Sequence, residues 1–200
     1  MKIVCVGRNY ADHAKEMGND VPAEPLIFLK PPSSLLAPGA PIVLPPQSQE
    51  VHFEGEIGVF VGQRMKSVTP EVAQAGIAGL AAANDVTARD LQRRDSQWAR
   101  AKGFDTFCPV GPQRAVEGLD DLELVTRVNG EVRQRARSNE MIFPIPQILS
   151  YISHIMTLEP GDLVLTGTPA GVGRLVSGDE VEVEVVGVGK VRNPVTDTGG

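Results

Sequence analysis

The sequence predicts an α+β domain in which short strands outnumber helices. The 21 Gly and 16 Pro residues are spread along the 200-residue chain, which is typical of many strands joined by turns and not of a helical bundle. The predicted strands do not alternate with helices, so a doubly wound fold is not expected. A hydrophobic content of 42% is sufficient for a buried core at this length, and residues 1–200 are interpreted as a single domain.

The N-terminal half contains short elements separated by glycine and proline. Gly7 ends the first strand, Gly18 closes the first helix, and the prolines of segment 19–46 prevent long regular elements. Thr69 and Pro70 form a helix start, because Thr is a preferred N-cap and Pro suits the first helical position. The predicted elements are strands over 1–6, 51–61 and 77–84, and helices over 10–17, from 70 onward and over 90–98.

The C-terminal half contains a hairpin, a helix and two further strands. Asn129-Gly130 indicates a two-residue turn between strands over 124–128 and 131–135. Strands are also predicted over 163–166 and 180–186, the second from its alternation of Val and Glu. Apolar residues at helical spacing predict a helix that docks one face. These residues are Ile145, Ile148, Leu149, Ile152 and Ile155.

Charge and cysteine content exclude several classes of protein. The net charge of -6 and pI of about 5.1 argue against nucleic acid as the main partner, because phosphate binding requires a basic face. No apolar run approaches the roughly 20 residues of a membrane helix, and the first residues lack the apolar stretch of a signal peptide. Cys5 and Cys108 form no disulfide framework. We therefore expect a cytoplasmic protein that binds neither nucleic acid nor membrane.

One histidine and two glutamates alternate on the predicted strand 51–61. Strand side chains point alternately to the two faces, so His52, Glu54 and Glu56 are expected on one face. Two carboxylates on a buried face repel each other unless a positive charge lies between them, and hard divalent cations prefer oxygen ligands. The pattern indicates a metal site, but a solvated charged edge would show the same spacing.

Two further segments place polar residues at the ends of apolar runs. The small apolar residues before Asp85 end abruptly, so Asp85 could supply a third carboxylate or cap the next helix. The segment 167–173, here called the glycine loop, follows a predicted strand but matches no nucleotide-binding motif. It is interpreted as a tight turn that carries one substrate contact.

His13 and Glu16 form a candidate pair on the first predicted helix. They are three residues apart and therefore share a face. A carboxylate beside an imidazole raises its basicity and orients it as a general base, although surface pairs at this spacing are common. The chain contains no G-x-S-x-G, H-E-x-x-H or C-x-x-C motif, so serine-based hydrolysis and structural zinc are not expected.

An ordered series of motifs runs through nearly the whole chain. The motifs are Gly7-Arg8-Asn9-Tyr10 with His13, Phe28-Leu29-Lys30-Pro31, the strand His52–Glu56, Asn84–Asp90, Trp98 with Lys102-Gly103-Phe104, Val128–Glu131, and Gly161-Asp162 to Pro169. In this order they resemble the fumarylacetoacetate hydrolase family. The resemblance is greatest to its small members, which are acylpyruvases, oxaloacetate decarboxylases and 2-hydroxyhepta-2,4-diene-1,7-dioate isomerases.

The resemblance implies a fold, a cofactor and a set of site residues. It implies the family's mixed β-roll, one catalytic domain over residues 1–200 with an N-terminal lid over about 8–20, and a homodimer. Glu54, Glu56 and Asp85 are the implied ligands of Mg²⁺ or Mn²⁺. The implied catalytic residues are His13, Glu16 and Lys102, and the implied substrate contacts are Arg8, Tyr10, Arg89, Gln92 and Thr168.

The implied chemistry is cleavage of a C–C bond in a 2-oxo acid. Three carboxylates and one divalent cation sum to about -1, so an anionic substrate also needs nearby Lys and Arg residues. A 2-oxo acid can fill two open metal positions, and the metal then stabilises an enolate. Acylpyruvate hydrolysis and oxaloacetate decarboxylation share this enolate, and isomerisation of a 2-hydroxy-dienoate is an alternative. A metal-holding binding protein without turnover and a nucleotide-binding module on the glycine loop are alternatives of other classes.

Overall fold

The computed structural model describes residues 1–116 and 118–197. Its strands are β1 (Ile3–Gly7), β2 (Leu26–Lys30), β3 (Leu35–Leu36), β4 (Ile42–Leu44), β5 (Val51–Phe53), β6 (Gly55–Val61), β7 (Ile77–Asn84), β8 (Thr87–Ala88), β9 (Cys108–Pro109), β10 (Glu123–Val128), β11 (Glu131–Arg137), β12 (Leu163–Leu165), β13 (Gly173–Arg174), β14 (Glu180–Val185) and β15 (Gly189–Asp197). Its α-helices are α1 (Ala11–Glu16), α2 (Pro70–Ala75), α3 (Arg89–Arg94), α4 (Ala99–Lys102) and α5 (Ile145–Ile155).

Two five-stranded mixed sheets form the body of the domain. The first has the order β2–β1–β12–β6–β7 and the second β11–β10–β14–β15–β4. The β1–β12 and β15–β4 pairs are parallel, and the other pairs in these sheets are antiparallel. Two smaller sheets, β13–β5–β8 and β3–β9, complete the roll. The predicted α+β class is confirmed.

The main core lies between the two large sheets and α5. Val4 of β1, Ile57 of β6 and Leu124 of β10 belong to one buried apolar cluster. The α5 residues that face this cluster are Ile145, Ile148, Leu149 and Ile152, as their spacing predicts. Ile155, the last residue of α5, is 50% exposed, so the predicted stripe ends one turn earlier. Of the described helices, α5 is the longest at 11 residues, and none of them has the length and apolarity needed to cross a bilayer.

The predicted strand over 51–61 is wrong in one respect, because the chain leaves one sheet and enters another at Glu54. β5 pairs with β13 and β8 in a small sheet, whereas β6 pairs with β12 and β7 in a large one. The simple alternation of faces therefore does not apply across Glu54. His52 pairs with Glu50, with Nε2 3.1 Å from Oε1, and it does not line the cavity that contains Glu54 and Glu56.

The predicted helix over 90–98 is too long, because only α3 falls in that range and it ends at Arg94. α3 ends at Arg94, Asp95 has an extended backbone, and α4 begins at Ala99. The Asp95 carboxylate accepts hydrogen bonds from Arg100. The non-helical residues 95–98 separate α3 from α4. Trp98 lies in this segment and contacts Phe28.

The hairpin predicted at Asn129-Gly130 is present. Both residues have positive φ, 54° and 80°, as the two-residue turn requires. The turn joins β10 to β11, and a register shift between Thr126 and Arg127 then brings Thr126 opposite Gln134.

Candidate functional site

A cavity of about 230 Å³ lies where the ends of β1, β6 and β7 meet α1, α3 and α4. Every predicted site residue except Glu16 and Tyr10 lines it. The predicted residues in the lining are Arg8, His13, Glu54, Glu56, Asp85, Arg89, Gln92, Lys102 and Thr168. The cavity therefore brings together residues of several of the motifs, although these motifs are far apart in the sequence.

Three buried carboxylates, here called the carboxylate triad, lie together in this cavity. They are Glu54, Glu56 and Asp85, and one carboxylate oxygen from each lies within 4.8 Å of the others. Gly55 of β6 pairs with Asn84 of β7, and this register brings the glutamates beside Asp85. Three convergent oxygen donors that are at most 4% exposed suit a hard divalent cation, so the donor set fits Mg²⁺ or Mn²⁺.

Three buried cations balance the carboxylate triad. Lys102 Nζ donates to Glu54 Oε2 at 2.6 Å and to Asp85 Oδ2 at 2.5 Å. Lys30 Nζ donates to Asp85 Oδ1 at 2.7 Å, and Arg89 donates to Glu54 Oε1. Three positive groups thus face three negative ones, and a bound divalent cation would make the site net positive. The sum of about -1 given above counts only the three carboxylates and the divalent cation. With these three cations included, the cavity is better suited to anions than that sum indicates.

The two glutamates of the triad have opposite pKa shifts. Burial raises the pKa of Glu56 well above its ordinary value, and the negative charges of Asp85 and Glu54 raise it further. Burial also acts to raise the pKa of Glu54, but the charges of Lys102 and Arg89 outweigh it and lower the pKa. Glu56 is therefore the triad member whose negative charge is least compensated by the protein, and the one that gains most from a cation.

The backbone around the triad is held by hydrogen bonds that replace ladder bonds at the strand break. The N–H of Glu54 donates to Asn84 Oδ1 at 2.9 Å, and the N–H of Asp85 donates to the carbonyl of Glu54 at 2.8 Å. The N–H of Gly167 in the glycine loop donates to Glu56 Oε2 at 2.7 Å. These bonds limit the movement of the triad carboxylates, as a pre-organised metal site would require.

Lys30 is a site residue that the sequence reasoning did not single out. It appears there only within the motif Phe28-Leu29-Lys30-Pro31, yet its side chain is completely buried against Asp85. A lysine within the apolar strand β2 was the available signal, because a buried lysine is rare without an acidic partner.

We expect Lys30→Met to destabilise the folded protein by about 3 kcal/mol or more, because it leaves Asp85 with only one of its two buried cationic partners. Urea unfolding of the metal-free protein measures this free energy. Lys190→Met is the matched control, because Lys190 is 60% exposed beside Glu182 and its loss should cost less than about 1 kcal/mol. Equal losses for the two variants would contradict a special role of the buried pair.

The motif Gly7-Arg8-Asn9-Tyr10 connects β1 to α1 and positions His13. Arg8 has φ of 58°, an uncommon value for a side-chain-bearing residue, and it lines the cavity. Asn9 is fully buried and hydrogen-bonds to backbone atoms of Phe143 and Thr166. These contacts attach the start of α1 to the core, and His13 follows on its inner face.

His13 and Glu16 are in contact. His13 Nδ1 lies 3.2 Å from Glu16 Oε2, and the N–H of Gly171 in the glycine loop donates to Glu16 Oε1 at 3.0 Å. Glu16 does not line the cavity itself, but it orients the imidazole that does. The glycine loop therefore contacts the triad through Gly167 and the His13–Glu16 pair through Gly171.

Tyr10 is not brought to the cavity. Its side chain is 3% exposed within the main apolar core, and its backbone forms a bridge with Met141. Burial, with a smaller contribution from the charge of Glu56, raises the pKa of its hydroxyl. The side chain is directed into the core because the bridge sets the backbone orientation at this position.

Two aromatic residues form part of the cavity wall, and the sequence analysis named them only within motifs, without a role at the site. Phe28 and Trp98 contact edge to face, with ring centroids 5.2 Å apart. A Cβ atom on Gly7 would lie 3.1 Å from the Trp98 ring, so glycine leaves space for the indole. Lys102 Nζ lies 5.1 Å from the centre of the Phe28 ring, which gives the ammonium an apolar neighbour.

Known proteins are similar to this chain in sequence and in fold. The family profile described as fumarylacetoacetate (FAA) hydrolase C-terminal matches residues 2–196. The mitochondrial oxaloacetate decarboxylase of Dictyostelium discoideum is 43% identical, over 94% of this chain and 89% of that protein.

Two solved structures superimpose closely on this chain. The 2-hydroxyhepta-2,4-diene-1,7-dioate isomerase from Mycobacterium marinum is 48% identical with a TM-score of 0.91, covering 100% of this chain and 75% of its own. The fumarylpyruvate hydrolase from Pseudomonas aeruginosa, solved in complex with Mn²⁺ and pyruvate, is 34% identical with a TM-score of 0.93, covering 98% and 89%.

The mixed β-roll and its acidic cavity thus define an enzyme, since the relatives with this fold are a decarboxylase, an isomerase and a hydrolase. The chain belongs to the fumarylacetoacetate hydrolase family.

Proposed function

We propose that this enzyme uses Mg²⁺ or Mn²⁺ to cleave C–C bonds of 2-oxo acids through an enolate intermediate. The observation that carries the proposal is the buried carboxylate triad balanced by three buried cations, in a cavity that becomes positive when a divalent cation binds. A positive cavity of about 230 Å³ suits a small organic anion. The oxaloacetate decarboxylase and the fumarylpyruvate hydrolase among the relatives support this substrate class.

The triad would hold the cation, which would act as a Lewis acid towards the carboxylate and keto oxygens of the substrate. The remaining roles belong to groups of the chain. Lys102 and Arg89 are positioned to attract the substrate carboxylate, and Gln92, which accepts a hydrogen bond from Arg89 at 2.6 Å, fixes the guanidinium. Arg8 lines the cavity and supplies a further positive charge for a second carboxylate of the substrate.

In hydrolysis, His13 would take a proton from water. Glu16 contacts Nδ1 of the ring, which leaves Nε2 as the atom that receives the proton. The water oxygen would attack the distal carbonyl, and the bond between that carbon and the methylene carbon would break with its electron pair left on the enolate. His13 would then lose its proton as the methylene carbon is protonated, which gives the 2-oxo acid product. We further propose that residues 1–200 form one catalytic domain and that residues 8–20, with His13 and Met17 in the cavity wall, act as its lid.

Isomerisation of a 2-hydroxy-dienoate is a second candidate reaction. The Mycobacterium marinum relative is named as such an isomerase, and the same cavity charges would stabilise its conjugated enolate. A panel of acetylpyruvate, oxaloacetate and 2-hydroxyhepta-2,4-diene-1,7-dioate, followed for pyruvate release and for the dienoate absorbance, separates these reactions. Binding of every substrate without any product would favour a binding protein over an enzyme.

We expect metal removal to abolish turnover of the whole panel. Protein treated with EDTA and dialysed should lose activity, because the substrate oxygens would lack their Lewis acid. Addition of Mg²⁺ or Mn²⁺ should restore it, and addition of Na⁺ at equal ionic strength is the control. Undiminished turnover after complete metal removal, verified by elemental analysis, would contradict the proposed function.

A further inference from the structure

Gln134 joins the two large sheets and the glycine loop through three hydrogen bonds. It lies on β11 in the second sheet, whereas β6 belongs to the first, and it is 1% exposed. Its Oε1 accepts the N–H of Gly55 at 3.0 Å. Its Nε2 donates to Thr168 Oγ1 and to the carbonyl of Pro169, both at 2.8 Å. The buried side-chain amide of Gln134 therefore accepts one hydrogen bond from β6 and donates two to the glycine loop.

These bonds close a ring around Gly55. The hydroxyl of Thr168 donates to the carbonyl of Gly55 at 2.9 Å. The N–H and the carbonyl of Gly55 are thus held by Gln134 and Thr168, which are hydrogen-bonded to each other. Gly55 separates the two triad glutamates, so the ring determines the backbone position of both.

The surroundings of Gly55 leave no space for a side chain at this position. A Cβ atom at Gly55 would lie 1.9 Å from Thr126 Oγ1, so the strand packs directly against β10. The chain changes sheets at Glu54, and regular ladder bonds do not continue through this point. The backbone N–H groups of Glu54 and Gly55 instead donate hydrogen bonds to side-chain oxygens, those of Asn84 and Gln134 respectively.

The same ring reaches the glycine loop. Thr168 lines the cavity, and its neighbour Gly167 donates to Glu56 Oε2. A displacement of Gln134 would therefore move the triad backbone and the cavity wall together. Groups that orient metal ligands without touching the metal typically change metal affinity by 10–100-fold when they are removed.

We propose that Gln134 is a positioning residue that sets the geometry of the carboxylate triad and of Thr168 relative to each other. This inference rests on the proposed function, because it assigns the triad to a divalent cation. Gln134 acts through Gly55, Thr168 and Pro169, and it does not line the cavity.

The test measures Mn²⁺ affinity directly, by isothermal titration of metal-free protein. Gln134→Met keeps the length of the side chain and removes every hydrogen bond, so we expect the Kd for Mn²⁺ to rise about 10–100-fold. Gln134→Glu keeps an oxygen acceptor for Gly55 and replaces the donor nitrogen. For this variant we expect a smaller change in metal Kd, and at saturating Mn²⁺ a KM for oxaloacetate raised roughly tenfold with little change in kcat.

Thr126→Val is the matched control. Thr126 lies on β10 opposite Gln134 and packs against Gly55, but its buried hydroxyl has no hydrogen-bond partner among residues 1–116 and 118–197. The substitution keeps the shape of the side chain, and we expect the Mn²⁺ affinity and KM of wild type. Wild-type Mn²⁺ affinity and KM in folded Gln134 variants would overturn the proposal, as would equal losses in Thr126→Val. Failure of the wild-type protein to bind Mn²⁺ would instead overturn the proposed function, and the role of Gln134 with it.

Discussion

Glu56→Ala is expected to reduce turnover of every 2-oxo acid in the panel by about 10³-fold or more. Glu56 is the triad member with the least compensated charge, and its loss removes one of the three proposed metal ligands. Lewis-acid stabilisation by a metal is worth several kcal/mol in the transition state, which corresponds to a rate effect of this size. Steady-state kinetics at physiological Mg²⁺, together with titration of Mn²⁺ into the metal-free variant, measure the loss of rate and of affinity.

A second substitution at this position separates loss of metal from misfolding. Glu56→Gln keeps an oxygen that can accept the hydrogen bond of Gly167 and removes the charge that Asp85 and Glu54 repel. The metal-free variant should therefore be at least as stable as wild type, yet bind Mn²⁺ weakly. Glu71→Ala, on the exposed face of α2, is the control for a remote glutamate. A Glu56 variant with normal turnover would remove the triad from the mechanism.

His13→Ala is expected to separate the water-dependent reaction from decarboxylation. A general base typically contributes 10²–10⁴-fold, so acylpyruvate hydrolysis should fall by about this factor. Oxaloacetate decarboxylation requires no attack by water and should fall much less. Mn²⁺ affinity should be nearly unchanged, because His13 lies on α1 and is not a member of the triad. Parallel assays of both substrates with one preparation give the ratio of the two losses.

The competing role of His13 is closure of the cavity. α1 contributes His13 to the cavity lining, and the proposed lid, by excluding water and positioning substrate, would serve both reactions. Equal losses for hydrolysis and decarboxylation would therefore assign His13 to closure and contradict its role as a base. His154→Ala is the control, because this histidine lies on α5 with Nδ1 2.8 Å from the carbonyl of Ser150, away from the cavity.

Local sequence patterns predicted those elements whose hydrogen bonds or packing involve residues close in the chain. β7 occupies the predicted range 77–84, the turn at Asn129-Gly130 is present, and the buried face of α5 has the expected spacing. The break at Glu54 was not predictable in this way. It arises because β5 and β6 pair with strands of different sheets, and no local pattern encodes the partner of a strand.

The sequence by itself determined the α+β class, the family and the residue types of the triad, because motif order and spacing are properties of the chain alone. Only the tertiary structure decided which groups balance and hold the triad. Lys30 lies 55 residues from Asp85, and Gln134 lies 79 residues from Gly55. The first contact joins the two edges of one sheet, and the second joins the two large sheets. The folded core excludes water at both places, so each buried charge or amide must find a partner within reach.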